Sequence, residues 1–258
     1  MMDELKQIES KYNLQELRDK QDGKLKLANK DVEGAAGKYK ITPSKSIYEI
    51  ALENLNSVNK TRINERLNIS FEEAIMVLQA IIRISGKNLI YTETEKEIIR
   101  NLIKYFLNDG TGKYDIKKGI YMYGFYGSGK TQLLQLFQAF TNLLNYNKFD
   151  KINYKILNDK IKIQGIKAAE NISKYNNLFV DDLGFLNESK INSFGNTYDL
   201  LMSIVNERYE KWFYSNIKTF YTTNILIDNI KEIYGEGISG RIIDSCNLIK
   251  FTETNHRR

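Results

Sequence analysis

The stretch 120-IYMYGFYGSGKTQLL-134 decides the fold. An apolar run leads into Gly124, Gly127, Gly129, Lys130 and Thr131, and apolar residues resume at Leu133. Gly124 to Thr131 matches G-x-x-x-x-G-K-[ST], the phosphate-binding loop of a strand–loop–helix unit. Glycines let backbone N–H groups turn inward around phosphates with no side chain in the way. The pattern predicts a strand before the loop and a helix over 130–144, whose positive end faces the same anion. Lys130 is the contact to the β- and γ-phosphates, and the Thr131 hydroxyl is a ligand for Mg²⁺. The nucleotide-binding set is Gly124, Gly127, Ser128, Gly129, Lys130, Thr131 and Gln132.

Working outward, 178-LFVDDLG-184 is an apolar strand ending in two carboxylates. An acid at the tip of a buried strand beside the loop holds Mg²⁺ in this class. Asp181 is the metal-side residue, acting through water, and Asp182 polarises the attacking water. The strand 219-TFYTTN-224 ends in Asn224, which can position that water or sense the γ-phosphate. The stretch 237-GISGRIIDS-245 puts Arg241 at a helix start, where it can reach a neighbouring subunit's γ-phosphate.

Short apolar runs alternate with helical ones from residue 119: 120-IYMY, 153-NYKIL, 178-LFVDDL, 218-KTFYTTN and 248-LIKF. This βαβα texture predicts a parallel sheet with helices on both faces. Before it, residues 2–18 and 46–58 read as amphipathic helices, with a Gly- and Lys-containing linker over 19–45. Ser70 and Glu73 have the spacing of a capping box for a helix over 71–84, and a further helix is expected over 94–107.

The 258 residues are 42% hydrophobic and 12% aromatic, enough for a sizeable core. The net charge of +6 is compatible with an anionic partner. A single cysteine, Cys246, excludes an intramolecular disulfide and a cysteine metal cluster, and is read as a buried core thiol. A single histidine, His256, excludes a His-rich metal site. The longest apolar run, 74-AIMVLQAIIRI-84, is too short for a membrane span, and MMDELKQIES lacks a signal peptide's apolar centre. The expectation is a cytoplasmic protein with no membrane partner.

The ordered set GFYGSGKT, LFVDDLG, TTN and Arg241-Ile242-Ile243-Asp244 resembles the DnaC/IstB-like branch of the AAA+ ATPases. The stretch 206-NERYEKW-212 also looks like this branch, and the likeness covers about residues 70–258. It implies a P-loop NTPase domain with a five-stranded parallel sheet. The helical N-terminal region over 1–69 is read as a partner-docking arm, the alternative being a helix folded back on the ATPase core. The likeness also implies ATP and Mg²⁺ on Lys130 and Thr131, an acidic pair Asp181 and Asp182, Asn224 as first sensor and Arg241 as a trans-acting finger. Arg257 matches the second sensor. Asp182 stands where many AAA+ proteins have Glu, and the missing methylene draws the carboxylate back from the water, so slow ATP hydrolysis is expected.

Between the nucleotide motifs, 146-YNKFDKINYKILNDKIKIQGIK-167 interleaves lysines with aromatics. Lys155, Lys160 and Lys162 are read as phosphate contacts to single-stranded DNA, with Tyr146, Phe149 and Tyr154 stacking bases. The competing reading is a solvated lysine face with core aromatics. The resemblance implies a helicase loader in bacterial or bacteriophage DNA replication, assembling with copies of itself on single-stranded DNA. Its partner is a replicative helicase, or a transposase if the chain is an IstB-like transposition helper. A small-molecule kinase and a nucleotide-dependent binding module are the rivals from other classes.

Overall fold

The computed structural model describes residues 68–85, 91–164, 171–184, 191–193 and 196–251. The helices expected over 2–18 and 46–58, the linker, nearly all of the docking region and Arg257 lie outside the described residues. The described residues divide between two compact units.

In the first unit, helix α1 (Phe71–Ile84) starts where the capping box predicts. The Ser70 amide donates to Glu73 Oε2 at 2.9 Å and the Glu73 amide to Ser70 Oγ at 3.2 Å. Two orphan donors of the first turn are thereby satisfied. The buried stripe is Ala74, Val77, Leu78, Ala80, Ile81 and Ile84, at helical spacing. Residues 136–146 belong to this unit too, with Leu136, Phe137, Phe140 and Leu143 buried.

The second unit holds helix α2 (Glu93–Leu107), opened by a second capping box of Thr92 and Glu95 and closed by Asn108 in the left-handed conformation. Strand β1 (Gly119–Tyr123) follows, then the phosphate loop and helix α3 (Lys130–Leu144), whose later turns fall in the first unit. Next come β2 (Asp150–Asn153), α4 (Tyr154–Gln164), a 3₁₀ turn over Asn171–Lys174 and β3 (Leu178–Asp181). Strands β4 (Ile191–Ser193) and β5 (Asn196–Tyr198) pair antiparallel by themselves. The chain continues through α5 (Leu200–Ser215), β6 (Thr219–Thr223), α6 (Ile227–Ser245) and β7 (Cys246–Lys250).

The main sheet is parallel, five-stranded and ordered β2-β3-β6-β1-β7. Strands β3 and β6 are buried along their whole length, as inner strands of a parallel sheet are, with the polar Asp181, Thr222 and Thr223 at their carboxyl ends. Alternation sends Phe179 and Phe220 to one face. There Phe220 lies 4.7 Å from the ring of Phe149 and 5.7 Å from that of Phe106 on α2. Tyr121, Val180 and Tyr221 join the core beneath the other face, with Tyr154 and Leu157 of α4, Leu201 and Ile204 of α5, and Ile238 of α6. Each such buried Leu, Ile or Phe side chain contributes about 1.5–3 kcal/mol.

Two expectations are corrected. The run 153–157 is not a strand: β2 ends at Asn153, and Tyr154 opens α4. The Asn153 Oδ1 accepts from the Ile156 amide at 3.2 Å and caps the helix. Tyr154, Leu157 and Ile161 are then buried at spacings of three and four. Arg241 does not start a helix. It lies within α6, past a bend at Gly235, whose φ of 81° breaks the helical path. The Cys246 thiol is buried, as expected. Among the described residues, no helix is long and apolar enough to cross a membrane.

Candidate nucleotide-binding site

Strand order builds the site. Because β6 lies between β1 and β3, its tip separates the phosphate loop from the acidic pair, all at the carboxyl ends of the strands. The loop leaves β1 through Gly124 at φ +146°, where a Cβ would meet the Phe251 carbonyl oxygen at 2.5 Å. That carbonyl is fixed because the Phe251 amide donates to the Tyr123 oxygen at 2.7 Å. Only glycine fits this turn.

A cleft of about 260 Å³ opens above the loop. Tyr126, Gly127, Ser128, Gly129, Lys130, Thr131, Gln132, Asp182 and Asn224 line it. Lys130 is 6% exposed, and four oxygens surround its ammonium. They are the carbonyls of Gly124 at 2.8 Å and Phe125 at 2.7 Å, Ser128 Oγ at 3.2 Å and Asn224 Oδ1 at 3.0 Å. The loop thus folds around its own cation, with acceptors that phosphate oxygens can replace.

Asp181 is buried. Its Oδ1 accepts from the hydroxyls of Thr131 and Thr222, each at 2.7 Å. Its Oδ2 receives the Lys151 ammonium at 2.8 Å. Asp182 sits at φ 57°, in the left-handed region, where its amide donates to Thr222 Oγ1 at 3.1 Å. Burial raises its carboxyl above the usual range, and the neighbouring Asp181 charge adds to that. Lys151, Lys130 and a hydrogen bond with Asn153 pull the other way. Thr222 belongs to the polar tip of 219-TFYTTN-224. No motif points to Lys151 and Asn153, which sit on a strand whose sequence looks like the start of a longer run. Only pairing of β2 with β3, which sets Asn153 opposite Asp181, reveals their role.

Other expected residues lie elsewhere. Arg241 is not among the cleft's lining residues. Its guanidinium donates to Asn206 Oδ1 and stands 5.5 Å from the Tyr209 ring centroid, both on α5. Lys155, Lys160 and Lys162 are exposed on α4. Phe149 and Tyr154 are core residues, 4% and 1% exposed, so those two rings are not available to stack bases. The 206–212 stretch has a structural explanation in Arg208, which is 1% exposed. Its guanidinium donates to Thr219 Oγ1 at 2.8 Å and to the carbonyls of Tyr175 at 3.0 Å and Asn176 at 2.6 Å, tying α5 to the entrances of β3 and β6.

The donor set suits magnesium. A hydroxyl and a carboxylate 2.7 Å apart are hard oxygen ligands. Among the described residues no three acids, histidines or cysteines gather into a metal cluster. An ion here would draw its other ligands from phosphates and water, as magnesium does.

No protein-family model matches the chain, and no curated protein matches it. Solved structures do. DnaI has a TM-score of 0.44 at 22% identity, over 67% of this chain and 89% of that one. A putative primosome component from Streptococcus pyogenes serotype M3 has a TM-score of 0.48 at 16% identity, over 66% and 85%. The DnaC helicase loader has 0.45 at 16% identity, over 65% and 94%. These are likenesses of shape at low identity.

Proposed function

We propose that this chain is an AAA+ protein that binds and slowly hydrolyses ATP with Mg²⁺, and acts as a DNA replication helicase loader assembling with itself on single-stranded DNA. One observation carries the nucleotide reading. Lys130, Thr131, Asp182 and Asn224 line one cleft, with Lys130 hydrogen-bonded to Asn224 and Thr131 to the buried Asp181 behind it.

Each side chain then has a task. The glycine-turned amides and the α3 amino end receive phosphate oxygens, and Lys130 exchanges its loop carbonyls for them. Thr131, and Asp181 through water, would hold a magnesium ion, which would supply positive charge against the phosphates. Asp182 takes a proton from the attacking water as the new P–O bond forms. Burial makes it a better proton acceptor than an exposed aspartate. Asn224 orients that water or reads the γ-phosphate, and Arg257 is assigned the second-sensor role.

Arg241 is not among the residues lining its own cleft and is assigned to a neighbour's. Lys155, Lys160 and Lys162, exposed on α4, are assigned to DNA phosphates, and residues 1–69 to the helicase. The loader reading rests on the resemblance of the four ordered motifs. Mixing two inactive variants tests the shared site. Asp182→Asn and Arg241→Ala each lose ATP hydrolysis, and their mixture regains about a quarter of it if the finger acts across subunits. No recovery, with both variants still binding ATP, defeats the shared site. Pull-down with ATP–Mg²⁺ from a host lysate then reads the partner: helicase supports the loader, and transposase alone overturns it for a transposition helper.

A further inference from the structure

We propose that Lys151 is the resident counter-cation of the acidic corner: its ammonium supplies the charge at Asp181 that a divalent ion takes over, and it thereby sets how much of that ion the site demands. This rests on the nucleotide reading above.

Lys151 lies on β2, two residues before Asn153, with Phe179 opposite it on β3. Its ammonium stands 2.8 Å from Asp181 Oδ2 and 5.4 Å from the Phe179 ring centroid. The other carboxylate oxygen accepts two hydroxyls. Both Asp181 oxygens are therefore engaged by side chains of the protein itself, in a side chain only 4% exposed. Two neutral hydroxyls do not cancel a buried charge, whose desolvation is costly unless it is paired. The lysine supplies the missing unit of charge. Its field also reaches Asp182 and, with that of Lys130, opposes the repulsion from Asp181.

A divalent ion at Thr131 and Asp181 supplies that same compensation. It competes with Lys151 for the carboxylate and is repelled by its charge. The lysine has somewhere to go, because its side chain is 26% exposed against 4% for the aspartate. Asp181 has no such freedom, being held by Thr222 on β6. The exchange is thus built on one fixed anion and one movable cation. An ion pair that only braces the fold would be needed equally with and without metal.

The test uses the full chain, stripped of divalent ions, with mant-ATP as the probe. Magnesium is titrated and nucleotide anisotropy read, with no turnover required. Lys151→Met removes the charge and keeps the stem on Phe179. Lys151→Gln keeps a donor for Asp181 without the charge, and Lys151→Arg keeps the charge. The two neutral variants should reach half-maximal binding at about five- to tenfold less magnesium than wild type, with Lys151→Arg at wild-type demand or above. Melting gives the second readout. Lys151→Met should melt about 3–6 °C below wild type in EDTA, and the gap should close in saturating Mg²⁺ and mant-ATP. If Lys151→Met does not fold in EDTA, Lys151→Gln is read in its place. Unchanged magnesium midpoints in the neutral variants, or an equal melting loss with and without metal, overturn the Lys151 inference alone. Wild-type protein that binds no mant-ATP at any magnesium concentration overturns the nucleotide reading with it.

Discussion

Two buried cations stand at opposite ends of the central sheet, Lys130 beyond the carboxyl ends of its strands and Arg208 at their amino ends. Lys130 is bound by oxygens of a glycine-rich loop and one asparagine, beside an open cleft. Arg208, 1% exposed, is bound by backbone carbonyls just before β3 and β6. The difference lies in what can replace the acceptors. On the proposed reading a phosphate takes over from the loop around Lys130, whereas Arg208 is tied to the chain itself. That reading makes one end of the sheet the exchange end and the other the permanent one.

The largest effect should come from the permanent end. Arg208→Met leaves several buried carbonyls without donors and should cost about 3–5 kcal/mol in urea unfolding. A loss below about 1 kcal/mol would break the comparison.

At the exchange end, Lys130→Ala should do the reverse. Mant-ATP affinity should fall about 100-fold, while stability without nucleotide changes by no more than about 1 kcal/mol, since water entering the cleft can serve the freed carbonyls. An unfolding loss as large as that of Arg208→Met would show Lys130 to be structural too.

Gly124→Ala sits on the boundary between these behaviours. The methyl group would meet the Phe251 carbonyl at 2.5 Å in a backbone conformation that disfavours it. Stability should drop by about 1–3 kcal/mol and nucleotide binding should fall with it, measured by urea unfolding and anisotropy together.

The smallest effect sharpens the permanent end. The Cys246 thiol lies 3.9 Å from the Thr219 carbonyl, beside the Arg208 anchor, and burial pushes its pKa up to about 12. Maleimide labelling at pH 8 should therefore proceed no faster than unfolding. The folded thiol keeps its proton where the unfolded one loses it. The contribution to stability is full below about 8.5, the unfolded value, and is lost as pH rises toward the folded one. Rapid labelling of native protein would show that this end opens.

Much of the site was legible because local rules govern it. A phosphate loop needs glycines at fixed offsets, and Gly124 to Thr131 supplies them within eight residues. Capping boxes are three-residue relations, so α1 begins where Ser70 and Glu73 require. The β2–α4 boundary was misread for the converse reason. The run 153-NYKIL is apolar enough for a strand, and only the cap from Asn153 and the four-residue pairing with β3 turn it into a helix. The aromatics among the lysines were equally ambiguous. Phe149 and Tyr154 look like stacking platforms in a string of letters and prove to be core.

The amino-acid sequence by itself determined the phosphate loop, the helix starts, the apolar strands and the carboxylates at the end of 178–181, since each depends on neighbours a few residues apart. Tertiary structure alone decided which of these meet. Inserting β6 between β1 and β3 brings Asn224 to Lys130 and Thr222 to Asp181, and laying β2 along β3 delivers Lys151 and Asn153 to the acidic pair. Those contacts join residues tens of positions apart. Hydrogen bonds and charges act over a few ångströms in space, and only the order of the strands sets that distance.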